Sequence, residues 1–435
     1  MRILSFTAGA ANMICGTCLR DNALAAELMR QGHDVVLMPI YTPTWTDEPN
    51  VSQRRVLFGG ISVYLQQHSA LFRHTPWLLD KLWDSPAVLR LASRKQIKRE
   101  PQFLGEMTVS VLQGENGPLR KEFRKLAAWV QSEPPFDAIS LPFTLVISFA
   151  SVLKPITRAP ICCTLQGEDL FLEGLSEPYR SQAIELISKN AIHVDAFTAV
   201  SEYYAEYMCR YLRIPEEKVH VVPLGINLAG HSGARRPHGD TFHVGYLARI
   251  APEKGLHLLC EAYRRLRQRP GLPPSKLLVA GWLGHEFASY LDGLRRQMTE
   301  WGLGDHFVYE GTLDRDQKIR FIQNLDVLSV PTIYADPKGT FVLEAMANGV
   351  PVVQPRCGAF PEMIERTGGG ILVEQDDPDS LAEGIWSIWS NPGLALELGS
   401  NGVRGVREHY SVRHMALRML EVLSRMRTAA RRAAG

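Results

Sequence analysis

Residues 330–353 carry the main structural signal of this chain and read Val330-Pro-Thr-Ile-Tyr-Ala-Asp-Pro-Lys-Gly-Thr-Phe-Val-Leu-Glu-Ala-Met-Ala-Asn-Gly-Val-Pro-Val-Val353. The apolar start predicts a buried strand that ends near Pro331, and a polar loop follows it. A helix is predicted to begin at about Thr340 and to end before Gly349, because a proline two residues later prevents its continuation. A strand that leads through Gly339 into a helix N-terminus offers free backbone N–H groups to a closely approaching anion. The stretch therefore predicts an anion site.

Two carboxylates flank this predicted helix start. Asp336 lies on the incoming loop, and Glu344 lies about one turn into the helix. Glu344 is placed to accept hydrogen bonds from vicinal ribose hydroxyls, and Asp336 to accept them from hydroxyls of a transferred sugar. Taken by themselves, the two residues are equally well explained as a solvated helix residue and a loop-turn residue.

A second segment places two cations at the end of another predicted strand. It reads Gly245-Tyr-Leu-Ala-Arg-Ile-Ala-Pro-Glu-Lys-Gly255 and precedes a predicted helix. The guanidinium of Arg249 is a planar fork and the ammonium of Lys254 is a compact point charge, a combination that suits a diphosphate. As isolated surface cations the two would be ordinary, but beside an anion-binding helix start they favour a nucleotide diphosphate site.

Short apolar strands alternate with amphipathic helical stretches along nearly the whole chain, which predicts a parallel α/β architecture. The predicted strands of the first half are Arg2–Thr7, Asp34–Ile40, Val56–Tyr64, Ala138–Leu141, Ile161–Leu165, Ala196–Val200 and Val219–Val222. Those of the second half are Phe242–Ala248, Lys276–Gly281, His306–Tyr309, Val327–Val330, Pro351–Val353 and Ile371–Val373. Two α/β domains that face a cleft are expected, because ligands of open parallel sheets sit at the carboxyl ends of the strands.

The predicted domain boundaries lie where this periodicity is lost. The first domain covers 1–227 and contains an irregular insertion, 65–135, with predicted helices around Pro76 to Arg99 and Leu119 to Gln131. We expect this insertion to take part in acceptor recognition. Residues 228–240 are rich in glycine, histidine and proline and form the predicted linker. The second domain covers 241–408, and a C-terminal helix covers 409–435.

Composition and charge narrow the class of protein. The 435 residues are 45% hydrophobic and 22% charged with a net charge of +2, so nucleic acid is not expected as a partner. Basic runs at Arg94–Arg99, Leu119–Lys125 and Arg425–Arg432 are interpreted as solvated helix faces, with a peripheral contact with anionic lipid as the alternative. The pattern of a signal peptide and an apolar run of about 18 residues are both missing, which predicts a cytoplasmic protein.

The spacing of two pairs of cysteines is compatible with a redox or metal-binding role. Cys15 and Cys18 are separated by two residues, and the adjacent Cys162 and Cys163 end a later strand. No histidine has ligand spacing, and adjacent cysteines are poor co-ligands for one metal ion. Packing roles are therefore the favoured prediction.

A second metal-like motif is Asp314-Arg315-Asp316, which matches a metal-binding Asp-x-Asp pattern. It directly precedes a predicted helix from Gln317 to Asn324, where acidic residues cap the helix and complement its dipole. We therefore predict a helix cap and no metal site.

The second half of the chain resembles the nucleotide-binding domain of retaining glycosyltransferases of family 4, which have the GT-B fold. The resemblance covers roughly Phe197 to Leu372 well and the amino-terminal domain loosely. Its motifs are Val222-Pro-Leu-Gly-Ile-Asn227, Arg249-x4-Lys254-Gly255, Val279-Ala-Gly281, the pair Asp336 and Glu344 with Ala-Met-Ala after it, Pro351-Val-Val353 and Gly358-Ala-Phe-Pro-Glu362.

This resemblance implies two Rossmann-like domains, with the C-terminal helix returning to the first of them. It implies transfer of a sugar, with retention of configuration, from a nucleotide diphosphate to a hydroxyl of a glycan, lipid or small molecule. No metal ion or cofactor is implied beyond the nucleotide sugar itself. Proton transfer to the departing phosphate would make a side-chain nucleophile unnecessary.

The resemblance also implies roles for single residues. Arg249 and Lys254 would hold the diphosphate at the helix start formed by Gly339 and Thr340, with Glu344 on the ribose. The remaining implied contacts are those of Asp336 with the donor sugar and of the Phe341 and Val342 amides with sugar or phosphate. The family has glutamate where this chain has Asp336, whose side chain is one methylene shorter.

On the amino-terminal side the family has a glycine-rich loop that approaches donor phosphate and acceptor. Gly16 and Thr17 are the best equivalents here, since the double-glycine form is absent. Many relatives have a histidine where this chain has Gln166, which hydrogen-bonds but does not titrate. The following Glu168 and Asp169 are predicted, as one of two equal alternatives, to cap the next helix.

Two other functions remain open from sequence. A nucleotide-sugar epimerase or hydrolase would share the fold, and a non-catalytic sugar-nucleotide-binding subunit would explain the departures at Asp336 and Gln166. A cysteine-based redox or metal protein is the remote third.

Overall fold

The computed structural model describes residues 1–9, 16–58, 101–233, 240–270 and 272–434. The chain divides into two compact units, of which the first contains Met1–Val200, Tyr204–Val222 and Ala416–Gly435. The second contains Ser201–Tyr203 and Pro223–Met415. The predicted helix from Pro76 to Arg99 lies outside the described residues. So do residues 234–239, and the predicted linker 228–240 stays a prediction.

The first unit is built on a parallel sheet with the strand order β2-β1-β3-β4-β5-β6. These strands are β1 (Arg2–Thr7), β2 (Asp34–Pro39), β3 (Ala138–Leu141), β4 (Ile161–Leu165), β5 (Ala196–Ala199) and β6 (Val219–Val221). Most of their residues are buried on both faces, as expected for a parallel sheet covered by helices.

The strand predicted from Val56 is wrong over its described part, because residues 56–58 form an irregular segment. Its apolar character has another explanation. Phe58 is 1% exposed, stacks on Phe149 and meets Phe123 edge to face. Burial of this ring holds the segment in place together with two backbone hydrogen bonds, from Leu57 N–H to the Pro39 carbonyl at 3.2 Å and from Phe58 N–H to the Ile40 carbonyl at 2.8 Å.

Helices cover the first sheet. They are α1 (Gly16–Arg30), α2 (Pro101–Leu112), α3 (Arg120–Ser132), α4 (Ser148–Leu153), α5 (Asp169–Glu173), α6 (Tyr179–Asn190) and α7 (Glu202–Leu212). The helix predicted from Leu119 is confirmed as α3. The last helix of the chain, described below, contributes its residues from Ala416 onward to this unit. Arg427 in that helix pairs with Asp137 at 3.1 Å, so the predicted return of the C-terminal helix is confirmed.

The second unit has its own parallel sheet with the strand order β12-β11-β10-β7-β8-β9. Its strands are β7 (Phe242–Leu247), β8 (Ser275–Ala280), β9 (Phe307–Tyr309), β10 (Val327–Leu328), β11 (Val352–Pro355) and β12 (Gly370–Val373). The chain runs outward from β7 to one edge, then returns to β10 and runs to the other. The strand order therefore reverses between β7 and β10, and the crevice at the carboxyl ends of such strands is where open α/β sheets bind ligands.

The helices of the second unit alternate with these strands. They are α8 (Leu256–Arg267), α9 (Ala288–Glu300), α10 (Arg315–Gln323), α11 (Thr340–Ala347), α12 (Phe360–Thr367), α13 (Pro378–Ser390), α14 (Pro392–His409) and α15 (Val412–Ala434), the last helix of the chain. Across the described part of the chain, no helix combines the length and the apolar character needed to cross a membrane.

Candidate functional site

The loop after β10 ends in a helix start of the predicted kind. Helix α11 begins at Thr340, and Gly339 precedes it in the left-handed region with φ 55°. Gly349 has φ 73° just past the helix end, which confirms both predicted ends of the helix. No side chain caps the first turn of α11. The backbone N–H groups of this turn and the positive end of the helix dipole are thus directed at the carboxyl edge of the sheet.

A second helix start lies beside the first. Gly255 precedes α8 with φ 72° and has no side chain to cap the first turn, although the His257 N–H of that turn donates to the Tyr290 hydroxyl at 3.1 Å. A Cβ atom on Gly255 would lie 1.7 Å from the carbonyl oxygen of Pro331, so only glycine allows the loop after β7 to approach the loop after β10 this closely. The two segments singled out in the sequence are therefore neighbours at the point where the strand order reverses.

Lys254 and Asp336 meet where these loops touch. The Lys254 Nζ lies 2.6 Å from Asp336 Oδ2 and 2.6 Å from the phenol oxygen of Tyr334. The Tyr334 hydroxyl also donates to Asp336 Oδ2 at 2.9 Å. Burial alone raises the pKa of Asp336, but the Lys254 ammonium and the amides of Lys338 and Gly339 outweigh burial and hold that pKa below its ordinary value. The carboxylate is therefore ionised at neutral pH.

Glu344 has a cationic partner that sequence reasoning missed. Lys318 Nζ donates to Glu344 Oε1 at 2.7 Å, and both side chains are largely buried, with exposures of 14% and 11%. Lys318 lies on α10, whose N-terminus is capped by Asp314 in a capping box with Gln317. The predicted cap at Asp314 is thus confirmed, and it sets the start of the helix that carries Lys318.

A buried histidine lies close to this ion pair. His231 Nδ1 is 2.7 Å from the side-chain nitrogen of Asn348, which also donates to the backbone carbonyl of Glu344 at 2.9 Å. Burial lowers the pKa of His231 to about 4, opposed by Glu344 and reinforced by Arg315 and Lys318. The imidazole is therefore neutral at pH 7.

Because its pKa differs between the folded and unfolded states, His231 is expected to make the stability of the second unit depend on pH. The unfolded chain has a histidine pKa near 6.5 and the folded chain one of about 4, so between these values only the unfolded state binds the proton. The stability contributed by this histidine is fully present above pH 6.5 and falls by up to about 3 kcal/mol as the pH drops towards 4.

In the variant His231→Gln, the unfolding midpoint should depend less on pH across this window. His285→Gln, at an exposed position of the same unit, should keep the wild-type slope. Equal slopes in all three proteins would contradict the prediction.

Arg249 is the more accessible of the two predicted cations. Its side chain is 39% exposed and pairs with Glu253, one turn along the same loop. Lys254, by contrast, is 15% exposed. Arg249 can therefore turn towards a ligand at the cost of a surface ion pair, which contributes little to stability.

The predicted residues of the amino-terminal side belong to the first unit. Helix α1 begins at Gly16 and includes Thr17. Gln166 follows β4, is 2% exposed, and donates its side-chain N–H to the Pro142 carbonyl at 2.6 Å. Among the described residues, its buried side-chain carbonyl oxygen has no hydrogen-bond partner.

Of the two alternatives for Glu168, the capping role is wrong. The Glu168 carboxylate makes no cap hydrogen bond to α5; it accepts from the backbone N–H and hydroxyl of Thr144 and from the Gln166 N–H. Asp169 accepts from the Tyr204 hydroxyl at 2.7 Å. Burial raises the pKa of Glu168 above its ordinary value, against the effect of these donors. Tertiary donors outcompete the local cap because Glu168 is buried among them.

The cysteines have the environment of packing residues. Cys18, Cys162 and Cys163 are buried, whereas Cys15 lies outside the described residues. Burial raises the pKa of Cys162 to about 12, so its thiol is protonated at neutral pH. Among the described residues there is no group of three or more side chains able to hold a metal ion.

Comparison with known proteins identifies the family. A family model described as "Glycosyl transferases group 1" matches residues 233–404, and one described as "Glycosyltransferase Family 4" matches residues 106–229. An uncharacterized glycosyltransferase of Methanocaldococcus jannaschii is 30% identical over 283 residues, which cover 62% of this chain and 70% of that protein. The chain is a group 1 glycosyltransferase. The resemblance stated from its motifs is confirmed.

Relatives of this glycosyltransferase with assigned activities match over shorter stretches. A GDP-mannose-dependent phosphatidylinositol monomannoside mannosyltransferase of Mycolicibacterium smegmatis is 28% identical, over 44% of this chain and 50% of the relative. A D-inositol 3-phosphate glycosyltransferase of Jonesia denitrificans is also 28% identical, over 49% of this chain and 53% of the relative. The chain thus spans about half the length of these two relatives.

Solved structures confirm the GT-B fold of this glycosyltransferase. Anabaena HepE in complex with UDP superimposes with a TM-score of 0.68 at 18% identity, covering 98% of this chain and 100% of HepE. Sucrose-phosphate synthase from Thermosynechococcus elongatus superimposes with a TM-score of 0.70 at 19% identity, covering 99% and 100%.

Proposed function

We propose that this glycosyltransferase moves a sugar from a nucleoside diphosphate to an acceptor hydroxyl, with retention of configuration and without a metal ion. The observation that carries the proposal is that the starts of α8 and α11, each preceded by a left-handed glycine, lie together with Lys254 at the reversal of strand order in the second unit. Backbone N–H groups, helix dipoles and an ammonium there supply positive potential to a diphosphate in place of a metal.

The donor contacts follow from this arrangement. The diphosphate binds Lys254, Arg249 and the amides at the start of α11, including those of Phe341 and Val342. The ribose hydroxyls donate to the carboxylate of Glu344. One oxygen of that carboxylate also accepts a hydrogen bond from Lys318. This ion pair fixes the rotamer of Glu344, so the carboxylate is preorganised for the vicinal diol.

The reaction needs no side-chain nucleophile. The bond between the anomeric carbon and the phosphate oxygen breaks, and the acceptor oxygen bonds to the same face of that carbon. The acceptor proton passes to the departing phosphate oxygen. Positive charge develops on the sugar and negative charge on the phosphate, and the second of these is stabilised by Arg249, Lys254 and α11.

The first unit is proposed to bring the acceptor. Its contribution is the start of α1 at Gly16 and Thr17, together with the side-chain carbonyl oxygen of Gln166, for which the described part of the chain supplies no hydrogen-bond donor. That oxygen accepts but does not donate, so it suits a hydroxyl of a sugar or acceptor. The acceptor is proposed to be a hydroxyl compound, and the relatives named for phosphatidylinositol monomannoside and D-inositol 3-phosphate make inositol-containing phosphates the first to try.

A screen of nucleotide sugars tests the proposal. Because a ligand that binds only the folded state raises the melting temperature, UDP-glucose or GDP-mannose at about 100 times its Kd should stabilise the protein by about 2.7 kcal/mol. The donor identified in this way should then release its diphosphate faster when an acceptor such as an inositol phosphate is added. EDTA should leave that rate unchanged.

Three outcomes would contradict the proposal. They are the absence of stabilisation by any nucleotide sugar, isomerisation of the sugar with the diphosphate bond intact, and donor binding without product over a broad panel of hydroxyl acceptors. The second would favour an epimerase and the third a non-catalytic binding subunit.

A further inference from the structure

Asp336 has its hydrogen-bonding capacity filled within its own loop and by Lys254. Its Oδ1 accepts from the backbone N–H of Lys338 at 2.9 Å and from that of Gly339 at 3.2 Å. Its Oδ2 accepts from Lys254 Nζ at 2.6 Å and from the Tyr334 hydroxyl at 2.9 Å. A carboxylate offers about four acceptor positions, so these four donors leave none for a sugar hydroxyl.

Tyr334 completes the arrangement around the ammonium. Its hydroxyl contacts both members of the Lys254–Asp336 pair, and the Lys254 Nζ also lies 4.8 Å from the centre of the Tyr334 ring. The side chain of Lys254 has four rotatable bonds, and holding it in one rotamer costs conformational entropy on binding. The two oxygen contacts restrict that freedom before a ligand arrives.

We propose that Asp336 and Tyr334 are positioning residues that hold the Lys254 ammonium for the donor diphosphate, and that Asp336 does not bind the transferred sugar. The inference rests on the proposed function and deepens it. It departs from the sugar contact that the resemblance implies for this position. The physical reason is the shorter side chain: an aspartate closes its carboxylate onto the amides two and three residues ahead, in the manner of an Asx turn.

The role of Asp336 is tested with ligands that differ only by the sugar. Wild type and Asp336→Asn are titrated calorimetrically with UDP and UDP-glucose, and with GDP and GDP-mannose. The substitution changes the charge next to the diphosphate, so both Kd values of a pair should shift by one common factor. The ratio of the two should stay within about twofold of the wild-type ratio.

A loss of affinity of about tenfold for the nucleotide sugar alone would overturn the inference and leave the proposed function standing. If neither UDP nor GDP binds the wild type, the proposed function fails and the inference fails with it.

The role of Tyr334 is tested by a double-mutant cycle on diphosphate binding, which requires no acceptor. Tyr334→Phe keeps the ring and the charge, removes the hydroxyl, and should weaken binding of UDP or GDP about fivefold, as expected for one hydrogen bond to a charged group. In a Lys254→Met background the same substitution should change Kd by less than about twofold, because it acts through Lys254.

Tyr263→Phe is the matched control, since it removes a buried phenol hydroxyl that bonds Ser275 in the same unit. It should leave Kd unchanged even where it lowers the melting temperature. An equal effect of Tyr334→Phe in both backgrounds, or no effect in the wild-type background, would overturn the positioning role.

Discussion

Replacing Lys254 with methionine is expected to lower the rate of sugar transfer about a hundredfold, the usual cost of removing one preorganised stabiliser of transition-state charge. Lys254 is the most buried cation of the proposed diphosphate site, and its ammonium is held within 2.6 Å of two oxygen atoms. Its attraction to the departing phosphate grows as the bond breaks, so kcat should fall more than the donor Kd rises. The measurement is the initial rate of diphosphate release at saturating donor, with an acceptor or with water as the acceptor.

A loss of folding must be separated from this loss of rate. Lys254→Met leaves the buried Asp336 carboxylate unpaired, which is expected to cost about 3 kcal/mol of stability. The double variant Lys254→Met/Asp336→Asn removes both charges and should recover most of the melting temperature but none of the rate. Lys276→Met, at an exposed lysine of β8, is the matched control and should keep full rate. A Lys254→Met enzyme with wild-type kcat would refute the assigned role.

Replacing Glu344 with glutamine is expected to weaken binding of the nucleoside diphosphate about thirtyfold, which corresponds to about 2 kcal/mol. Glutamine keeps the shape of the side chain but loses the charge that strengthens hydrogen bonds from the two ribose hydroxyls. The 2′-deoxy form of the same diphosphate identifies the cause. Its affinity should already be low for the wild type and should fall much less on substitution.

The ion pair with Lys318 requires its own control. Glu344→Gln leaves the Lys318 ammonium partly buried without its partner, so the double variant Glu344→Gln/Lys318→Met should regain stability without regaining affinity. Glu261→Gln, which breaks an ion pair with Arg264 on α8, should leave nucleotide affinity unchanged. An equal loss for the ribose and 2′-deoxy ligands would show that Glu344 does not hold the ribose.

Local sequence was sufficient to predict those features in which the residues of one segment determine its own backbone conformation. The ends of α11 follow from Gly339 and Gly349, and the cap of α10 follows from Asp314, because these residues act on the backbone within a few positions. The placement of the strands along the chain follows from short apolar runs. It was misjudged at residues 56–58, where one buried ring at Phe58 produces the same apolar pattern as a strand.

Partners that are distant in sequence could not be predicted in this way. Lys318 reaches Glu344 across 26 residues, and Lys254 reaches Tyr334 across 80. Glu168 precedes a helix, yet its carboxylate binds Thr144 from an earlier loop. Such contacts depend on which strands lie side by side and on how closely their loops approach, and no local pattern specifies either.

The stretch 330–353 by itself determined the two ends of a helix, and the motifs around it determined the family and the GT-B fold. The tertiary structure decided how its two carboxylates are used. Glu344 is matched with Lys318, while Asp336 is occupied by Lys254, Tyr334 and two amides of its own loop. The reason is that the identity of a side chain sets how many hydrogen bonds it can accept, whereas tertiary packing decides which donors lie within hydrogen-bonding distance.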